Sequence, residues 1–165
     1  MLNLATAWNH LWRLIPAVVI IVGMHTTNYF DTFIAVAEDS SAAAASIPPP
    51  RATPSVAELT HRMIADNPYV YTSDDVIFGV WAERRGIAPS EMDAARATFF
   101  SKGQPCLRSS DLGKRYGWGV HSDAEGRVAL VALGSAEYTT LAAGTTPDGS
   151  PVVVKTAMRS ARSSS

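Results

Sequence analysis

Strand-like and helix-like segments occur in mixed order along this chain, and that order limits its fold more than any other feature. One short β-branched segment at residues 30–37 comes before three segments with a helical apolar period, and further strand-like segments follow them. A doubly wound α/β chain would alternate the two types regularly. The order predicts an α+β fold, with a small mostly antiparallel sheet of about four strands packed against three to four helices.

Capping and terminating residues predict where the helices begin and end. The first two helices each start at a capping box, Ser55–Glu58 and Thr72–Asp75, in which the two side chains satisfy each other's backbone N–H groups. The third is expected to open near Pro89 and to stop at Gly103. A short fourth helix is expected to begin at Ser135, because serine is a preferred N-cap residue.

The remaining strands are predicted from apolar runs bounded by turn residues. Residues 118–121 and 127–133 flank the sequence SDAEG, which is typical of a β-hairpin with a glycine-containing turn. Residues 151–155 form a last strand. The apolar run 76–78 could be either strand or helix, because periodicity cannot decide so short a segment.

Two segments mark the limits of the expected domain. Residues 40–54 are rich in Ala, Ser and Pro without a hydrophobic period, which predicts an extended surface loop. Residues 14–23 are apolar but fall short of the roughly 20 residues that a membrane-spanning helix needs. We therefore expect residues 1–23 to be an extension read upstream of the domain, with a signal or membrane anchor as the alternative.

A single domain is then expected over residues 24–162. It would be cytoplasmic under the first interpretation of the extension, and exported or membrane-associated under the alternative. The oligomeric state is left open. No membrane contact is expected for residues 24–165.

Charge and cysteine content exclude several classes of site. The formal net charge of -1 does not favour double-stranded DNA as a partner. A single cysteine rules out an intramolecular disulfide and a multi-cysteine zinc site, and the four histidines lack metal-ligand spacing. We expect no metal and no cofactor.

Basic residues are concentrated in the second part of the chain. Residues 1–101 carry six Lys and Arg against ten Asp and Glu, whereas residues 102–165 carry eight against five. The leading hypothesis is a binding or accessory domain that recognises an anionic small molecule or partner through its 102–115 and 155–162 segments, aided by backbone N–H groups of interleaved glycines. The candidate ligand-binding residues are Lys102, Arg108, Lys114, Arg115, Trp118 and Arg159. The simpler alternative is that these residues pair with the acidic first part of the chain.

Two other functions are kept open. Cys106 could be a nucleophile with His121 as its base, which would make the chain a cysteine-dependent enzyme, although a free cysteine is more often a small buried apolar residue. Asp74 and Asp75 could serve acid/base chemistry, but helix capping explains them more simply. A purely structural protein–protein module would instead need one exposed patch formed by the aromatic residues Tyr69, Tyr71, Tyr116 and Trp118.

Four sequence blocks resemble a known family. They are MHTTNYFDTFIAVAED (24–39), PYVYTSDDVIF (68–78), FFSKGQPCLRSSDLGKRYGWGVH (99–121) and VKTAMRSAR (154–162). In this order they are similar to a bacterial family known as domain of unknown function 6157. Its members typically begin at the methionine that matches Met24, which agrees with the expected domain start. The resemblance implies no reaction, ligand or catalytic residue.

Overall fold

The computed structural model describes residues 24–161, which form four strands and five α-helices. In chain order these are β1 (Thr32–Ala35), α1 (Val56–Ala65), α2 (Ser73–Arg85), α3 (Met92–Phe99), α4 (Asp111–Lys114), β2 (Trp118–Ser122), β3 (Val128–Ala132), α5 (Ala136–Ala142) and β4 (Val153–Thr156). Single 3-10 turns precede α3 at Pro89–Glu91 and α4 at Leu107–Ser109. The predictions made for residues 1–23 lie outside the described residues. Within residues 24–161, no helix is both long and apolar enough to cross a bilayer.

The strands form one sheet in the order β3-β2-β1-β4. β1 pairs antiparallel with β2 and parallel with β4, and β2 pairs antiparallel with β3. The sheet is therefore mostly antiparallel, and the predicted α+β fold is confirmed. β1 is a central strand, which explains why its Phe33 and Ile34 side chains are only 0% and 2% exposed although they point to opposite faces.

Helices cover both faces of the sheet. On one face, Ile34 and Val120 pack with Ile64 of α1 and Val76 of α2 in the largest core cluster. On the other face, Phe33 packs with Leu141 of α5 and with residues of β3 and the segment before β4. The result is three layers, with α1 and α2 on one side of the sheet and α5 on the other.

Three of the predicted helix starts are confirmed by capping hydrogen bonds. The Ser55–Glu58 capping box is only half formed, because the Glu58 carboxylate accepts from the Arg51 N–H. Ser55 accepts from the Glu58 N–H, Ser135 accepts from the Tyr138 N–H, and Thr72 and Asp75 form a complete capping box. The run 76–78 belongs to α2. The prediction that Gly103 ends the third helix was wrong. α3 ends at Phe99, where the chain turns to pack Phe99 and Phe100 against α2.

The Ala/Ser/Pro segment 40–54 has no helix or strand, as predicted, but it is tied to the domain near its middle. The Ser46 N–H donates to the Tyr116 carbonyl, and the Ser46 carbonyl accepts from Trp118 Nε1 at 2.9 Å. Gly117 has a φ of +72°, and a Cβ there would lie 2.5 Å from the Ala44 carbonyl oxygen. Glycine is therefore required for the loop to approach the chain before β2.

Candidate functional site

A groove of about 720 Å³ lies between α1, α2 and the segment that precedes α4. One face of α2 forms its floor, because residues 77, 80, 81, 84 and 85 recur at helical intervals. Val56 and Thr60 of α1 also line the groove. The opposite wall is the 104–110 segment, which includes the 3-10 turn before α4 and carries Cys106.

The floor of the groove is apolar over most of its length. Ile77, Val80 and Trp81 of α2 contribute to it, and Phe99 of α3 packs on Trp81 with ring centroids 5.0 Å apart. Leu107 continues the apolar surface on the opposite wall. Such a surface binds the apolar body of a ligand by excluding water from both.

Two arginines give the groove a cationic end. The Arg85 guanidinium lies 4.5 Å from the centre of the Trp81 ring, which fixes its position by a cation–π contact. Arg84 makes no ion pair within the described part of the chain. Neighbouring Glu83 pairs instead with Arg62 at 2.7 Å, outside the groove. Because none of the described residues that line it is acidic, the groove favours an anion.

Cys106 lies in the wall of the groove and is partly buried. Its Sγ atom is 3.6 Å from the Tyr29 hydroxyl, and the Lys155 ammonium lies 5.7 Å from the centre of the Tyr29 ring. Burial raises the pKa of Tyr29, the Cys106 thiol adds to that rise, and the Arg108 guanidinium opposes it. The tyrosine therefore stays protonated near neutral pH, and its hydroxyl and the Cys106 thiol share a hydrogen bond in which either can be the donor.

Arg108 forms hydrogen bonds with the outer edge of the sheet, at the end of β4. Its Nε atom donates to the Thr156 carbonyl at 2.8 Å, and its own carbonyl accepts from the Met158 N–H at 2.7 Å. Both groups of the β4 region point away from β1, since the Ala157 N–H between them bonds to the Ala35 carbonyl. The main chain takes up the Nε donor of this guanidinium, which gives Arg108 a structural role.

The other predicted ligand-binding residues do not line the groove, and two of them are held in ion pairs. Arg115 pairs with Asp111 at 3.7 Å within one turn, and Arg159 pairs with Glu38. Lys102 is exposed after α3, while Lys114 is partly buried on α4. The pairing with the acidic first part of the chain, which the sequence offered as the alternative, is present for Arg159.

The contacts of Trp118 also explain it as a structural residue. Its ring packs against His61 of α1 with centroids 5.1 Å apart, and its Nε1 holds the 40–54 loop through Ser46. His61 Nε2 is buried and has no hydrogen-bond partner in the part of the chain that the structure describes, and burial lowers the pKa of His61. The pair joins α1, β2 and the loop.

Two of the glycines that could have lined an anion site are required for packing. A Cβ at Gly113 would lie 2.9 Å from the Ala157 Cβ, and one at Gly119 would lie 2.5 Å from Phe33 Cζ. Both distances are shorter than side-chain carbons tolerate. These glycines allow α4 and β2 to approach the rest of the sheet.

His121 lies on the opposite side of the sheet from Cys106. It pairs in register with Phe33, which faces α5, whereas Cys106 lines the groove on the α1 and α2 side. His121 Nδ1 is 2.8 Å from the Tyr69 hydroxyl, and burial lowers the pKa of His121. The structure thus does not bring together the proposed nucleophile and base, since the sheet separates them.

Asp74 and Asp75 are both occupied by structural contacts. The Asp74 carboxylate accepts from the Thr27 N–H and from the Thr26 and Thr27 hydroxyls at 2.7 Å each. Asp75 completes the capping box and pairs with Arg96 at 2.8 Å; despite its burial, these contacts lower its pKa. Capping and tethering therefore account for both residues.

The four aromatic residues proposed as a protein-binding patch are not exposed together. Tyr71 packs against the core cluster between the sheet, α1 and α2, while Tyr69 packs on His121 beyond the other face. Each of Tyr69, Tyr71, Tyr116 and Trp118 is partly buried. The arrangement gives no contiguous aromatic surface of the kind that the module hypothesis required.

Sequence reasoning missed the residues that make the groove cationic. Arg84 and Arg85 were explained as favourable charges in the last turn of a helix, which is also true of them. The available signal was the helical spacing of Ile77, Trp81 and Arg84, which puts an arginine at the end of an apolar stripe. The sequence could not show that the 104–110 segment forms the wall opposite α2.

The fold and the groove define a small α+β domain with an amphipathic groove beside a mostly antiparallel sheet. Residues 24–163 match the model of a family of unknown function, DUF6157, and the chain belongs to that family. No curated protein and no solved structure has detectable similarity to the chain.

Proposed function

We propose that this domain binds a small anionic molecule in the groove between α1, α2 and residues 104–110. The main support for the proposal is the composition of the groove wall, which has two arginines and, among residues 24–161, no acidic residue. A volume of about 720 Å³ lies within the range of about 300–1,000 Å³ that is common for small-molecule sites. The ligand is anionic, as the sequence suggested, but its binding residues are Arg84 and Arg85.

The two arginines have different roles in binding the anion. Arg85 stacks on Trp81 and is thereby pre-organised, so less side-chain entropy is lost when it meets a ligand. Arg84 keeps its donors available for a planar anion. Glu83 does not neutralise them, because its carboxylate is held by Arg62.

We also propose that the domain acts in the bacterial cytoplasm. A partly buried, unpaired Cys106 in the wall of a binding groove suits a reducing compartment. Fractionation of a bacterial host that expresses the full chain tests this location. Recovery of the protein from the periplasm or the membrane fraction would contradict it.

The binding proposal is tested by titrating the full chain with phosphate, benzoate and aliphatic carboxylates while amide chemical shifts are followed by NMR. We expect shifts at residues 84–86 and 104–106. The double variant Arg84→Ala, Arg85→Ala should weaken binding about tenfold or more, which corresponds to about 1.4 kcal/mol or more.

The matched control is Arg127→Ala, which removes an exposed arginine from the β2–β3 turn, where it pairs with Asp123 and Glu125. This variant should bind as the parent does. The proposal would be overturned if no compound of the panel changed any amide chemical shift, or if the changes were confined to Lys102 and Lys114.

A further inference from the structure

We infer that the ligand is an amphiphilic carboxylate, with an aliphatic or aromatic body in the groove and its headgroup at Arg84 and Arg85. This inference rests on the proposed anion-binding function and specifies the class of ligand. It follows from the order in which apolar and charged residues occur along α2.

The groove has one apolar end and one cationic end. Ile77 packs against the core cluster that contains Leu107, so this end of the floor is deep and apolar. Arg84 and Arg85 stand seven and eight positions further along the helix. At about 1.5 Å per residue, the two ends are separated by roughly 10 Å.

That separation sets the length of the ligand. A carboxylate at the Arg84 end leaves roughly 10 Å of apolar floor for the rest of the molecule. The floor offers Trp81 and Phe99 as aromatic surfaces, and Val56, which is 51% exposed, adds an aliphatic edge. An anion as small as acetate would leave this apolar surface in contact with water and would gain no binding free energy from its burial.

The charge pattern selects an anion over a neutral amphiphile. Polar groups elsewhere in the wall are partly engaged: the Ser110 hydroxyl accepts from the Leu112 N–H, and Gln104 donates to the Phe99 carbonyl. The arginines at the C-terminal end of α2 are the charged side chains of the lining. A planar carboxylate fits the guanidinium fork with two parallel hydrogen bonds.

The experiment is isothermal titration of the full chain with acetate, hexanoate and decanoate, each below its micellar concentration. We expect affinity to rise at least tenfold from acetate to decanoate. Decanol and decyltrimethylammonium, which keep the chain but not the negative charge, should bind at least tenfold more weakly than decanoate.

Two variants locate the site. Arg84→Ala removes an exposed cation and should lower decanoate affinity about tenfold. Val56→Asp introduces a carboxylate into the groove wall at the first residue of α1, where negative charge favours the helix, so it should weaken binding without unfolding the domain. Arg127→Ala should leave the affinity unchanged.

The possible outcomes separate this inference from the proposed function. If acetate binds as tightly as decanoate and both need Arg84, anion binding stands and the amphiphilic ligand is wrong. If decanol binds as tightly as decanoate, the site is apolar and the inference fails. If no anion binds at all, both proposals fail together.

Discussion

The Arg108 guanidinium donates a hydrogen bond to the main-chain carbonyl of Thr156 at 2.8 Å, across 48 positions of sequence. An arginine that the sequence suggested for ligand binding thus protects an edge strand. β4 lies at the edge of the sheet and carries the exposed side chains of Val153 and Val154, which form a surface prone to pairing with other chains.

We therefore predict that Arg108→Ala destabilises the domain and promotes association. Loss of a charge-assisted hydrogen bond should lower the free energy of unfolding by about 1–3 kcal/mol. Urea denaturation measures that loss, and light scattering measures association. Arg115→Ala, which removes an exposed arginine with a 3.7 Å ion pair, should cost less than about 0.5 kcal/mol. Equal stability of the two variants would contradict the structural role of Arg108.

The fold was largely predictable because its signals are local. Capping residues such as Ser55, Thr72 and Ser135 act within one helical turn, and the hairpin around residues 123–126 is a contiguous pattern. The site was not predictable in the same way. The basic residues between 102 and 115 are close in sequence, but α4 and the 3-10 turn before it direct their side chains to different partners.

We predict that Gly119→Ala destabilises the sheet strongly. Its Cβ would meet Phe33 Cζ at 2.5 Å and the Tyr138 ring at 3.1 Å, and Phe33 is fully buried in a central strand, so it has little room to move. Overpacking of this kind costs about 1–3 kcal/mol. Thermal unfolding is the measurement. Gly103→Ala is the control, since its nearest atom would be His25 Nδ1 at 3.9 Å, and it should shift the transition little.

We predict that the free energy of unfolding decreases as the pH falls through the ordinary histidine range. Burial lowers the pKa of His121, which outweighs the raising effect of Glu137, Asp123 and Asp31. From about pH 6.5 downward, the unfolded chain therefore takes up a proton that the folded chain resists, and the free energy of unfolding decreases.

Urea denaturation at about pH 7.5 and about pH 5.5 brackets this histidine range. The variant His121→Asn should show a shallower fall in stability than the parent. Burial lowers the pKa of His61 as well, so the slope should be reduced and not abolished. A parent domain that is equally stable at the two pH values would show that His121 has been assigned the wrong environment.

We predict that Asp74→Ala releases the segment that leads into β1. The Asp74 carboxylate accepts from the Thr27 N–H and from two threonine hydroxyls, and it thereby joins Thr26 and Thr27 to the start of α2. The loss should be about 1.5–3 kcal/mol, with faster hydrogen exchange at Thr27. Asp93→Ala, an acidic residue in the first turn of α3, should leave that exchange unchanged.

Cys106 provides a local reporter of the groove, because its thiol lies in the wall opposite α2. We predict that a saturating amphiphilic carboxylate slows the reaction of Cys106 with N-ethylmaleimide by about tenfold, since a bound ligand excludes the reagent. Mass spectrometry of the modified peptide gives the rate. In Arg84→Ala the same ligand concentration should protect much less, whereas Arg127→Ala should be protected like the parent. Unchanged alkylation at saturation would mean that the ligand lies elsewhere on the molecule, whatever its affinity.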